Sequence, residues 1–276
     1  MKSRFWIGIF LLAIASVLFA YRGRIVAFVT ERIARRELPP AQTYEKVASS
    51  TSVIISERSE PQDFREPRAP VPDALDIPPS DEVVELKLPK AFNMAVPFTS
   101  QAPFEDWSLP YREACEEASI AMVDAFFKGR AFTKANATSE ILALVEWQTN
   151  NLGHFEDTNV EETARILRER YGYENVQVIY DPTIEDIKRE VAQGWPVILP
   201  AAGRLLGNRY FRQPGPLYHM LVVRGWTKDG MIITNDPGTK RGEGYLYEPN
   251  VLMNAVHDWN GGDVLSGRKA MIVVHQ

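Results

Sequence analysis

The sequence predicts an α+β fold over residues 91–276, helices first and antiparallel strands after. Three observations predict it. Residues 113–127 place Ala114, Ala118, Ala121, Met122, Ala125 and Phe126 at helical spacing, with Gly129 as a stop. Two apolar, β-branched runs, 196–202 and 217–226, read as buried strands. Asp229-Gly230 is a tight-turn pair joining the second run to a strand over 231–235. Helical segments thus precede an antiparallel hairpin, the order expected when helices pack to one side of a sheet.

The elements follow in order. Residues 93–98 form a short strand and 113–127 the first helix. Residues 139–148 form a second helix. Thr158 with Glu161 is a capping-box pattern opening a third, which ends near Gly172. Residues 175–180 alternate as a strand, and 183–193 form a helix stopped by Gly194. After the two buried strands and the hairpin, 249–259 reads as a last helix and 270–275 as a last strand.

Ahead of this body lie two segments of different character. Residues 5–21 are an uncharged apolar run preceded by Lys2 and Arg4. It lacks a small-x-small cleavage site, so an uncleaved signal anchor is expected, with a basic flank to residue 38. Arg22, Arg24, Arg32, Arg35 and Arg36 follow the run, which by charge alone would keep the body cytoplasmic. An N-terminal anchor followed by a long spacer has its evident use outside, so an extracytoplasmic body is expected. Residues 39–90 hold nine prolines and no glycine, the composition of an extended linker.

Charge and motifs exclude several functions. Residues 41–276 carry 24 Lys/Arg and 34 Asp/Glu, an acidic body unsuited to nucleic acid. No zinc-spaced Cys/His cluster, His-Glu-x-x-His, Walker loop or dinucleotide glycine pattern occurs, so no metal or cofactor is expected.

Cys115 is the only cysteine and falls at the start of the first helix. A thiol there faces unpaired backbone N–H groups and the positive end of the dipole, which favour thiolate. Glu113, Glu116 and Glu117 oppose that charge unless they point away or a cation outweighs them. Among four histidines, His154 lies in a loop, His257 on the last helix and His275 by the terminus. His219 opens a buried strand. A two- or four-residue loop at Asp229-Gly230 sets Asp236 opposite Leu221 or Val223, on the face of His219. Cysteine, imidazole and carboxylate are the parts of a cysteine hydrolase. The Cys115 backbone N–H and the Gln101 side chain are candidate oxyanion donors. The loop 203–216, rich in Gly, Arg and aromatics, reads as either a cleft wall or a plain surface loop.

Together, Val96-Pro-Phe-Thr-Ser-Gln101, Trp107, Cys115-Glu-Glu-Ala-Ser119 with Met122, Tyr218-His219-Met220-Leu-Val-Val, Gly225 and Asn235-Asp236-Pro237 resemble the C39-like (bacteriocin-processing-type) cysteine peptidases. The resemblance is narrower still to the stand-alone C39-like proteins of bacteria, and it spans about 92–275. It implies a papain-like fold, with Cys115 as nucleophile, His219 as general base, Asp236 as orienting residue and Gln101 as oxyanion donor. It also implies a peptide or protein substrate. Glu116-Glu117 stand where the family commonly has Gly-Pro, and the interval from Gln101 to Cys115 is long. The expected function is a membrane-anchored cysteine peptidase. The alternatives are a cell-wall amidase or transglutaminase-like acyltransferase with the same residues, or an inactive peptide-binding module.

Overall fold

A computed structural model describes residues 37–49 and 88–276. The anchor expected over 5–21 and most of the linker lie outside the described residues. Among the described residues, no helix is long and apolar enough to cross a membrane.

The body is helices followed by an antiparallel sheet. In chain order it runs β1 (Phe92–Asn93), α1 (Cys115–Phe127), α2 (Lys134–Asn151), α3 (Val160–Glu169), β2 (Val176–Tyr180), α4 (Ile184–Ala192), β3 (Val197–Ala201), β4 (His219–Trp226), β5 (Ile232–Asn235), β6 (Tyr245–Tyr247), α5 (Pro249–Ala255) and β7 (Ala270–Val274). The sheet order is β2-β7-β3-β4-β5-β6, with β1 also paired to β4. Every residue of β3, β4 and β7 is buried, which is why these strands read as continuous apolar runs rather than alternating ones. Helix α1 packs on β4, and α3 on β2 and β7.

Local chemistry explains where the elements begin. Three of the helices open on a reciprocal capping box: Thr133 with Asn136, Asn159 with Glu162, and Thr183 with Asp186. The second of these lies one residue beyond the expected Thr158–Glu161 box. The first makes α2 longer than the expected 139–148, because Asn136 takes the place of the usual Glu or Gln. Helix α5 stops at Ala255 rather than 259: Val256 turns extended and bridges Ala201. The strand expected over 93–98 is confined to Phe92–Asn93 plus a bridge at Met94, and residues 95–100 run on irregularly toward Gln101.

The start of the expected linker behaves differently. Gln42 N–H donates to the Asn93 carbonyl (2.9 Å), and the Gln42 carbonyl accepts from Ala95 N–H (2.7 Å). Residues 44–49 are helical, Tyr44 sits edge-on to Phe126 and Phe127, and Val47 is buried. Tyr44 and Val47 lie three apart on one short helical face, too brief to register as periodicity in a proline-rich stretch.

The β4–β5 hairpin decides the site's register. Trp226 pairs with Ile232 and Gly225 with Ile233, so residues 227–231 form the connection. A bulge then intervenes, and Val223 pairs with Thr234 and Val222 with Asn235. This brings Asp236 level with Leu221, on the His219 face. Without the bulge it would fall level with Val222, on the opposite face. The expected outcome is met, but through a longer connection corrected by a bulge. The bulged residue, Arg224, is itself a fastener. Its Nε donates to Asn93 Oδ1 (3.0 Å), and its Nη1 to the Val96 carbonyl (3.2 Å) and Asn235 Oδ1 (3.3 Å). Gly225 is required beside it, because a Cβ there would lie 2.2 Å from the Phe92 carbonyl oxygen.

Candidate active site

Cys115 is the first residue of α1, after a 3-10 turn at Tyr111–Glu113. No side chain caps that end. The helix is buried from Cys115 through Phe126, so both glutamates beside the cysteine are interior. Glu116 Oε2 lies 3.1 Å from the Cys115 sulfur. Glu117 accepts a short hydrogen bond from Gln148 Nε2 on α2. Glu116 Oε1 and Glu117 Oε2 have no partner among the described residues.

Burial sets the protonation of this corner. It drives the Cys115 thiol well above its usual range, reinforced by Glu116 in charge and hydrogen bonding and by Glu117; the Met220 backbone N–H works the other way. Burial likewise raises the Glu116 carboxyl, helped by its neighbour Glu117. Glu117 is pushed by burial up to about 8, against the pull of backbone and Gln148 hydrogen bonds. Both acids are thus interior groups whose carboxyls burial pushes toward the protonated form, Glu116 against the sulfur and Glu117 against Gln148. Neither pointing away nor pairing with a cation is how they are accommodated.

His219 opens β4 and is almost wholly buried. Its Nε2 lies 2.8 Å from Asp236 Oδ1. Asp236 is buried yet holds its charge: desolvation raises its pKa, but His219, Tyr247 and Asn208 together bring it below the ordinary range. The carboxylate accepts at both oxygens. Oδ1 also takes the Gly238 N–H (3.0 Å), and Oδ2 takes Tyr247 OH (2.6 Å) and Asn208 Nδ2 (2.9 Å). Asn208 donates to the Tyr247 hydroxyl as well (3.0 Å). Phe211 meets the imidazole edge-on, ring centres 5.3 Å apart. Gly238 makes room for this stack: a Cβ there would sit 2.7 Å from Phe211 and 2.9 Å from His219.

Gln101 reaches the same region. Its backbone N–H donates to the Pro237 carbonyl (3.0 Å), which also accepts from Ser100 Oγ (3.2 Å). Asn235 Nδ2 donates to the Val96 carbonyl (2.9 Å). The stretch carrying Gln101 is thereby tied to the one carrying Asp236. The Gln101 Nε2 hydrogens go to the Tyr111 (3.0 Å) and Arg112 (2.8 Å) carbonyls, bracing the turn before Cys115.

Cys115, His219 and Gln101 all line one cleft of about 470 Å³, with Trp107, Phe211 and Gly238 among its other walls. Loop residues 210–212, 215 and 216 contribute, so segment 203–216 is a cleft wall. Asp236 stands behind His219. His154, His257 and His275 lie elsewhere, bonded to Glu162, the Gly267 carbonyl and Glu190. Among the described residues, no group of His, Cys, Asp and Glu could hold a metal ion. Sequence reasoning missed Asn208 and Tyr247. Only their tertiary position beside Asp236 marks them, although Asn208 lies in the loop singled out as a possible wall.

Comparison with known proteins agrees with the residue pattern. A family model described as the Peptidase_C39 like family matches residues 94–261, more than half of the chain. No curated protein matches the sequence. A putative C39-like peptidase from Bacillus anthracis is similar at 15% identity and a TM-score of 0.43, covering 66% of this chain and 96% of that one. A mutant fragment of Prevotella intermedia prointerpain A is similar at 13% identity and a TM-score of 0.45, covering 83% of this chain and 81% of that one.

Proposed function

We propose that this chain, which belongs to the C39-like peptidase family, is a cysteine peptidase that cleaves peptide bonds with Cys115, His219 and Asp236. The observation carrying the reading is the buried His219–Asp236 pair at a cleft that Cys115, at a helix start, also lines. Asp236 engages Nε2, which leaves Nδ1 to take the thiol proton. The sulfur attacks the substrate carbonyl, and the imidazolium returns the proton to the leaving amine. Water then releases the acyl group. The Cys115 backbone N–H faces the oxyanion. Gln101 Nε2 joins it by exchanging one of its two carbonyl partners for substrate.

In this reading residues 5–21 anchor the chain in a membrane, and the body is extracytoplasmic. Protease treatment of intact cells then digests the body; resistance would place it inside.

A second reading, an inactive peptide-binding module, draws on the protonated, buried thiol beside Glu116. One experiment separates the two. A thiol-directed probe should label Cys115, and Cys115→Ala should abolish peptide hydrolysis. An unreactive thiol with no turnover leaves the binding module.

A further inference from the structure

The charges of the cleft are unevenly spent. Lys240 pairs with Glu105 at 2.6 Å and Arg112 with Glu113 at 3.0 Å. Arg212, exposed in the same lining, has no carboxylate partner among the described residues. Its segment, 203–216, contains three arginines and no acidic residue, within residues 41–276, where Asp and Glu outnumber Lys and Arg by 34 to 24.

That segment is also held in fixed relation to the reacting groups. Asn208 bonds Asp236, Phe211 stacks edge-on to His219, and Gly215 N–H donates to the Arg212 carbonyl (2.9 Å). Arg212 therefore follows directly on a residue in contact with the imidazole. Its side chain lines the same cleft as Cys115 and His219. A planar cation with five donors, unpaired at that place, matches a carboxylate in geometry and charge.

From this we infer a carboxylate-binding subsite at Arg212: the cleft selects peptides with an acidic group close to the scissile bond. The inference rests on the proposed peptidase reading for where the bond lies, but the subsite itself is a binding property. Two sources share the chemistry, an Asp or Glu side chain and the α-carboxylate of a chain end.

The test uses the full chain and a heptapeptide set with Glu, Gln or Lys scanned through each position, in free-acid and C-terminally amidated forms. Hydrolysis is read with the native chain, and equilibrium binding with Cys115→Ala. Glu peptides should exceed their Gln partners by about tenfold at one position, and this ratio should shrink at high salt. A Glu-over-Gln ratio that persists on amidation assigns the side chain as ligand; free-acid peptides binding better than amidated ones, with Glu and Gln alike, assigns the chain end. Arg212→Gln should bring the ratio near one. Arg212→Glu should reverse it in favour of Lys peptides. Arg204→Gln, on the same segment but outside the cleft lining, should preserve it. Equal binding of Glu and Gln peptides that is also unchanged by amidation, no binding at all, or a preference unmoved in Arg212→Glu overturns the subsite. Absent hydrolysis with the binding preference intact overturns the peptidase reading alone.

Discussion

Replacing Glu116 by Gln should make Cys115 more reactive. In the native chain the Glu116 carboxyl lies 3.1 Å from the sulfur, in an interior where burial raises both groups. Removing the thiol proton there creates negative charge beside an acid that competes for the same charge. A unit charge at that separation and an effective dielectric of about 20 interacts by about 5 kcal/mol. Because burial also raises the Glu116 carboxyl itself, only a part of this is felt. A fall of about one to two pK units in the thiol is expected, or roughly ten- to a hundredfold more thiolate at a fixed pH below both values. The amide preserves volume and offers the sulfur an N–H donor. The assay is the pseudo-first-order rate of iodoacetamide alkylation of the native and Glu116→Gln chains across pH, with Cys115 the sole cysteine to report. The native curve should rise late, and the variant's should move to lower pH. An unchanged or slower curve in a folded Glu116→Gln chain would refute the idea that Glu116 restrains the thiol.

Other expectations concern the scaffold. Asp236→Asn should cut turnover by about a hundredfold or more, because the imidazole loses the charge that steadies its cation; Tyr247→Phe should cost less, and both are read from kcat on a common peptide. Gly225→Ala forces a Cβ against the Phe92 carbonyl, so β1 must shift; a loss of about 1–3 kcal/mol should lower the melting temperature by several degrees, and an unchanged value would contradict the packing. Stability should also decline as pH rises through the neutral range. Burial raises Glu117 to about 8 and Asp157 and Asp258 to about 6, so the folded chain holds protons that the unfolded chain gives up. Their contribution is complete below the ordinary carboxylate range and is lost progressively up to about pH 8. Thermal melts should show a higher midpoint near about pH 5.5 than near about pH 8, with Glu117→Gln flattening the difference.

The sequence by itself determined the fold class, the helix that begins at Cys115, the buried strand opened by His219 and the family. These are encoded in local period, turn residues and a few spaced motifs, all of which act over short stretches of chain. Other features required the tertiary structure. Glu116 and Glu117 read as charges that must point away or be outweighed by a cation, because their type is rarely buried; a helix enclosed on every side makes them interior acids. The face of Asp236 depends on a bulge at Arg224 that no local turn rule foretells. Asn208 and Tyr247 carry no motif and matter only because the chain returns to place both on one carboxylate oxygen. Residues 42–47 read as linker because their burial depends on a groove built by residues from Phe92 to Gly194. Burial, register across a bulge and convergence of distant side chains are properties of neighbours in space, and a chain read along its length does not contain them.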